Sequence, residues 1–317
     1  RIQPLLESIR SARFDQVVIV DTGSVDGTKG LIGEESLKRV ADGLPPIEIY
    51  DFTWINDFAA ARNYSLSFIT CDWLFWIDSD DTLEGGELIH GLVAEQDEQV
   101  GAIWLPYFYA FDEYGNCTTL LDRERLLRMK LGWEWVSAIH ETVHPKSAMR
   151  KSGSTTVQVK HRSGYAEYRG PRNLAILLSS MEKTPEDVRL WLYLAHQYFA
   201  MRDFNRALEW YTKYFRDPRG SDIERWQAQI YSAKCHHELE EYHEAVRLGL
   251  LATIDQPHLA DGYIEMAEGY LKLGDWARAI EWAEVAKHKE VPDRIIIVNQ
   301  LDYAYRPHAI LNVAYWR

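Results

Sequence analysis

The sequence predicts two architectures in succession: an α/β domain on a Rossmann-like, mostly parallel sheet over residues 1–168, then an all-α array of helical repeats over residues 169–317. Three observations carry this reading. The first half alternates β-branched runs with helical stretches, the second half holds long helical periods without strand signals, and that second half repeats itself at an interval near 34 residues. With 317 residues, 46% of them hydrophobic and 26% charged, the chain has the length for two domains and the composition of a soluble globular protein.

Taken in order, the chain opens in a helix-like stretch (Ile2, Leu5, Leu6, Ile9) with no Met ahead of it, and residues upstream of Arg1 are expected. QVVIVD (16–21) is a continuous β-branched run, as a strand covered on both faces requires, and TGSVDGT after it supplies turn chemistry and a helix cap. IEIYDF (47–52) reads as a second strand, NDFAAARNYSLSFI (56–69) as a helix and WLFWID (73–78) as a third strand. That alternation implies a parallel sheet with ligands at the carboxyl ends of its strands. The pattern then loosens: GAIWLPYFYAF (101–111) reads as a strand, residues 126–145 mix strand and loop, and VQVKH (157–161) is the last alternating run.

Beyond Pro171, the segments RDFNRALEWY (202–211), EEYHEAVRLG (240–249) and GDWARAIEWA (274–283) place Ala207, Ala245 and Ala279 in register, 38 and 34 residues apart. Small residues where paired helices cross, and aromatics where they pack, resemble the tetratricopeptide repeat. Trp191, Leu194, Ala195, Tyr198, Ala207 and Tyr211 sit at the expected offsets in the first copy, and Tyr263, Ala267, Tyr270, Ala279 and Ala283 in the third. The middle copy departs, with Gln229 and His236 at positions usually apolar. The plainer alternative is an unspecialised array of helical hairpins.

A net charge of −13 argues against nucleic acid as a partner, because phosphate binding needs clustered Lys and Arg. Three cysteines without CxxC spacing indicate neither a disulfide framework nor a zinc site. No apolar run approaches the roughly 20 residues of a membrane span, and the first residues lack a signal-peptide core, so a cytoplasmic location is expected.

The chemistry concentrates in WLFWIDSDD (73–81), where an apolar run ends in Asp78, Asp80 and Asp81. Acids at the carboxyl end of a strand face the ligand crevice, and two acids one residue apart can share a hard divalent cation that also holds substrate phosphates. Asp clusters also arise in turns and helix caps, so context must decide. That context is VDTGSVDGT (20–28), with Asp21 and Thr22 at another strand end, and DFAAARN (57–63), with Arg62 and Asn63 on a helix leading into the acidic strand.

These segments, in this order, resemble the nucleotide-binding half of family-2 glycosyltransferases of GT-A fold, over roughly residues 1–165. The resemblance implies that Asp21, with Thr22, contacts the nucleotide base, that Arg62 and Asn63 anchor the nucleotide or order the acidic loop, and that Asp78 faces the ribose. It implies Asp80 as ligand to Mn²⁺ or Mg²⁺ and Asp81 facing the sugar. An inverting transfer needs a general base, and AIHETVH (138–144) offers His140, Glu141 and His144. A similar His-Glu pair in repeat-bearing members, after a segment like RLLRMKLGWEW (125–135), favours Glu141, with Asp81 as competitor. His161 stands where many such enzymes add a late metal ligand; a structural salt bridge at 140 and 141 and a core histidine at 161 are the alternatives. The family also begins with a strand ahead of the opening helix, so the sheet is expected to expose an edge and the nucleotide site to lack one wall.

The resemblance thus implies an inverting, metal-dependent glycosyltransferase that uses a nucleotide-diphosphate sugar, in the first place a UDP-sugar. Bacterial enzymes of this two-part layout modify peptide side chains, including bacteriocin cysteines, so a peptide or protein acceptor is preferred over a saccharide or lipid-linked glycan. The repeats could hold acceptor, a partner or a second copy of the chain as a homodimer. Two other classes stay open: a repeat-based interaction module with a non-catalytic nucleotide-sugar-binding half, and a nucleotidyltransferase, which expects a Gly-rich, Lys-bearing loop that the visible chain lacks.

Overall fold

The computed structural model describes residues 2–162, 170–292 and 297–317. The chain divides into two compact units, residues 1–164 and 165–317; the boundary expected at residues 168 and 169 lies outside the described residues.

The first unit opens with helix α1 (Gln3–Ser8), whose Pro4 stands in the first turn, where a missing N–H costs nothing, and which buries Leu5 and Leu6. Strand β1 (Val17–Asp21), helix α2 (Thr28–Ala41) and strand β2 (Ile47–Asp51) form a parallel crossover unit whose register sets Asp21 beside Asp51. The helix cap expected from TGSVDGT falls on Gly27 and makes no side-chain bond; Asp26 accepts from the Thr28 N–H instead, at 3.0 Å. Helix α3 (Phe58–Leu66) starts where the Asp57 carboxylate accepts from the Ala60 N–H at 2.9 Å, shorter at both ends than its sequence pattern suggests.

Strand β3 (Trp73–Phe75) leads to β4 (Asp81–Glu84) and helix α4 (Ile89–Ala94), followed by two long strands, β5 (Val100–Phe111) and β6 (Cys117–Arg128). A short ribbon, β7 (Trp133–Val136) with β8 (Thr142–Pro145), precedes β9 (Arg150–Gly153) and β10 (Gln158–His161). The second sheet runs β3–β6–β5–β10–β4, with β9 also on β5.

Here the structure corrects the expectation of a mostly parallel sheet. Only β1–β2, β5–β9 and β5–β10 are parallel; β3–β6, β5–β6, β4–β10 and β7–β8 are antiparallel, and β1–β2 stands as a separate pair among the described residues. The physical reason is the β5–β6 hairpin. Its two strands close over a five-residue turn held by the Asp112 carboxylate, which accepts from the Tyr114 and Asn116 N–H groups, so a long antiparallel strand forms cheaply beside β3. The core unites α1, α2, β5 and β6 through Leu5, Leu6, Ile32, Ile103, Leu105 and Leu126.

The second unit is all helical: α5 (Gly170–Lys183), α6 (Val188–Ala200), α7 (Phe204–Phe215), α8 (Asp222–Glu238), α9 (Tyr242–Asp255), α10 (Asp261–Leu273), α11 (Trp276–Lys287), α12 (Gln300–Ala304) and α13 (Arg306–Tyr315). The pairs α6/α7, α8/α9 and α10/α11 are the three repeats. Ala207, Ala245 and Ala279 are fully buried where paired helices meet. Each pair turns through a left-handed residue, Arg202, Glu240 and Gly274, spaced like the three alanines. In the first and third, the next residue, Asp203 or Asp275, then caps the second helix. No helix among the described residues is long and apolar enough to cross a membrane.

Candidate active site

Asp78 to Asp81 form one tight turn, closed by the Asp81 N–H donating to the Asp78 carbonyl at 3.0 Å. A turn sends successive side chains in different directions, so the three acids meet different surroundings.

Asp78 is paired with Arg62, whose Nη2 lies 2.5 Å from its carboxylate. Burial alone would raise the Asp78 pKa, but Arg62 and then Arg125 outweigh it and hold it below the ordinary carboxylate range. The same Arg62 donates through Nε to Glu141 Oε1 at 2.7 Å, and its guanidinium packs over the rings of Trp76 and Trp135, 4.8 and 4.7 Å from their centres. One cation thus links the expected ribose-facing acid to the expected base. Of the other two base candidates, His140 is exposed with a positive φ of 53°, and His144 bonds Thr142 Oγ1 at 2.8 Å on the exposed side of β8.

Asp81 is fully buried. Arg125 Nη2 donates to it at 3.1 Å, the Tyr107 hydroxyl at 3.1 Å, and His161 Nδ1 lies 3.0 Å away. Burial, more than any neighbour, lifts its pKa; the His161 contact and Arg125 pull the other way. The His161 contact follows from strand register, since β10 pairs antiparallel with β4 so that His161 stands opposite Asp81, 80 residues away in sequence.

Asp80 lies beside this pair, its Oδ1 3.9 Å from His161 Nδ1. Ligand atoms of Asp80, Asp81 and His161 lie within 4.8 Å of one another. Two carboxylates and an imidazole are a donor set that suits a cation such as Mn²⁺, so the residues fit the implied metal, with Asp80 and His161 as its first candidates.

The Asp21 carboxylate accepts from the Ser24 N–H at 3.1 Å and faces Lys29 Nζ at 3.4 Å, with Lys29 also bridging to Asp51 at 2.5 Å. Asn63 donates to the Trp135 carbonyl and accepts from the Trp135 N–H, both at 2.8 Å, which latches α3 to β7. Thr22 is exposed and lines a cavity of about 500 Å³ with Arg62, Asp78 and Ser79 at its polar end. The rest of that cavity lies between Val17–Val20 of β1 and Trp73–Ile77 at β3, with Asp15, Gln16, Asp72 and His90 also lining it.

Sequence reasoning missed Arg125. In RERLLRM it looks like one of several strand arginines, and nothing in its neighbours marks it as buried.

The first unit is thus a mixed α/β domain with an acidic turn, a paired histidine and a polar-mouthed cavity. Comparison with known proteins shows that residues 1–155 match the family described as Glycosyl transferase family 2. The SPbeta prophage-derived glycosyltransferase SunS of Bacillus subtilis is 31% identical over 81 residues, covering 26% of this chain and 17% of that protein. The lipopolysaccharide core biosynthesis glycosyltransferase LpsC of Rhizobium meliloti is 29% identical over 141 residues, covering 42% of this chain and 49% of that protein. The chain therefore spans about a sixth and about half of these relatives. Among solved structures, the TPR2B domain of yeast Sti1 aligns at 21% identity over 41% of this chain and 95% of that chain, with a TM-score of 0.34. The repeat character of the second unit rests on its own helix pairing described above.

Proposed function

We propose that this chain is an inverting, metal-dependent glycosyltransferase that takes a sugar from a nucleotide-diphosphate donor, a UDP-sugar, and places it on a peptide or protein side chain. The observation that supports this best is the convergence of Asp80, Asp81 and His161 across β4 and β10, beside an Asp78 held ionised by Arg62. Asp80 and His161 would hold Mn²⁺ or Mg²⁺, which when bound stabilises the charge developing on the departing diphosphate.

The remaining roles fall to the chain's own groups. Asp78, at the cavity's polar end, accepts from the ribose hydroxyls, and Thr22 faces the base. Arg62 keeps Asp78 ionised and aims Glu141, which takes the proton from the acceptor nucleophile. The peptide acceptor is supported by the helical repeats, an architecture suited to extended ligands. A saccharide acceptor is the second reading, favoured by the name of LpsC, which matches the longer stretch of this chain.

The deciding experiment is a thermal-shift titration with UDP and Mn²⁺. The wild-type chain should be stabilised only when both are present, and Asp80→Ala should lose most of that shift; no wild-type shift, or a full shift in Asp80→Ala, rules the assignment out. Mass spectrometry after incubation with UDP-sugars and either peptides or oligosaccharides separates the two acceptors.

A further inference from the structure

We propose that Arg125 is a positioning residue of the donor site: it sets the acidic turn from beneath by holding Asp81, and through Asp81 it fixes His161 beside Asp80. The proposal rests on the metal–nucleotide reading above and adds to it a residue outside the motifs.

Backbone geometry is the first support. In the β5–β6 ladder Ile103 faces Leu126 while Trp104 faces Glu124, so Arg125 is the extra residue of a β-bulge. Bulges re-aim a side chain out of the regular alternation, and they recur beside active sites. On the other edge of β6, the Trp76 N–H donates to the Arg125 carbonyl at 3.1 Å, which brings the arginine under the residues that open the acidic turn.

The surroundings of the guanidinium are the second. Its side chain is fully buried between the rings of Trp76 and Tyr107, 3.9 and 4.3 Å from their centres. Nη2 holds Asp81 at 3.1 Å, while Nη1 lies 4.0 Å from Asp78 and donates to the Trp76 carbonyl at 3.4 Å. Nε has no hydrogen-bond partner among the described residues. A buried guanidinium with one N–H unmatched is costly to keep for stability alone, and an apolar pair could replace it and Asp81. What an apolar pair could not do is orient the carboxylate that His161 meets. Orienting groups behind a metal ligand commonly govern affinity by tenfold or more.

A double-mutant cycle on the full chain tests this, with Mn²⁺ and UDP as probes and calorimetric affinity and Tm as readouts. Arg125→Met should weaken Mn²⁺-dependent UDP binding about tenfold or more. In an Asp81→Asn background the same change should weaken it less than threefold, because the partner through which Arg125 acts is gone. Equal losses in both backgrounds, or a fall in Tm with affinity unchanged, overturn the proposal. Should Arg125→Met not fold, Arg125→Lys takes its place in the cycle: it keeps the charge but loses the planar fork, so unchanged affinity in Arg125→Lys also overturns it. A wild-type chain that binds no UDP with Mn²⁺ refutes the underlying reading and this proposal with it, an outcome distinct from wild-type binding with an additive cycle.

Discussion

Arg62 shows how much of the site turns on one side chain. Its two donors reach different acids, Asp78 and Glu141, which stand 16 and 79 residues from it in sequence. Glu141→Gln keeps the carbonyl oxygen that Arg62 can bind but cannot accept the acceptor's proton. The UDP–Mn²⁺ affinity should therefore stay within about twofold while turnover falls about 10²- to 10⁴-fold, the usual worth of a general base. Steady-state rates beside calorimetric affinity check this, and turnover at the wild-type level would remove Glu141 from the role. Asp78 adds no pH dependence near neutrality. Its pKa lies below the ordinary carboxylate range, so its ion pair is intact above about pH 4 and is lost only as the pH falls through the lower native value. Residue type and order singled out the acids of the turn, Arg62, Glu141 and His161, and the structure brings Arg62 to Asp78 and Glu141, and His161 to Asp80 and Asp81. Asp21 and Asn63 bind backbone groups, as short polar side chains near a strand or helix end readily do. Arg125 was hidden because only pairing with a distant strand creates its bulge.

At the level of elements, the repeats show where small residues are structural requirements. Gly249 of α9 and Gly262 of α10 face each other: a Cβ on Gly249 would come within 2.8 Å of the Gly262 carbonyl oxygen and 3.1 Å of the Met266 N. Backbone atoms cannot step aside, so overpacking of about 1–3 kcal/mol competes with the helix-propensity gain of about 1 kcal/mol that alanine brings. Gly249→Ala should destabilise the chain, by up to about 2 kcal/mol. Gly33 in α2 would meet nothing within 4 Å, so Gly33→Ala should stabilise by about 0.5–1 kcal/mol. Urea denaturation of both variants checks the opposite signs. This contrast also explains what the sequence showed of the fold. Helix pairing is local, so alanine spacing and turn residues revealed it, and even the polar residues of the middle copy serve nearby bonds, Gln229 to Asp255 and His236 to Glu241. Strand order is not local. Nothing in WLFWID says that its partner is a strand 50 residues later and antiparallel.

For the whole molecule, two separately closed cores set the expected thermodynamics. One is built mainly from aliphatic residues of α1, α2 and the sheets, the other from alanines, aliphatics and aromatics of the helices. Units that each bury their own core unfold as separate cooperative steps when those cores differ in stability, so calorimetry of the full chain should show two transitions instead of one. The proposed donor residues all lie in the first unit. A ligand stabilises only the step that destroys its site, by RT ln(1 + [L]/Kd), which at a hundredfold excess over Kd is about 2.7 kcal/mol. UDP with Mn²⁺ should therefore raise one transition by several degrees and leave the other in place, and Asp80→Ala should remove that selective rise. An acceptor peptide held by the repeats should move the other transition, whereas a saccharide bound at the donor domain should move the same one as UDP. A single transition that shifts as a whole with UDP and Mn²⁺ would show instead that the two cores unfold together, and selective shifts could then no longer assign ligands to units.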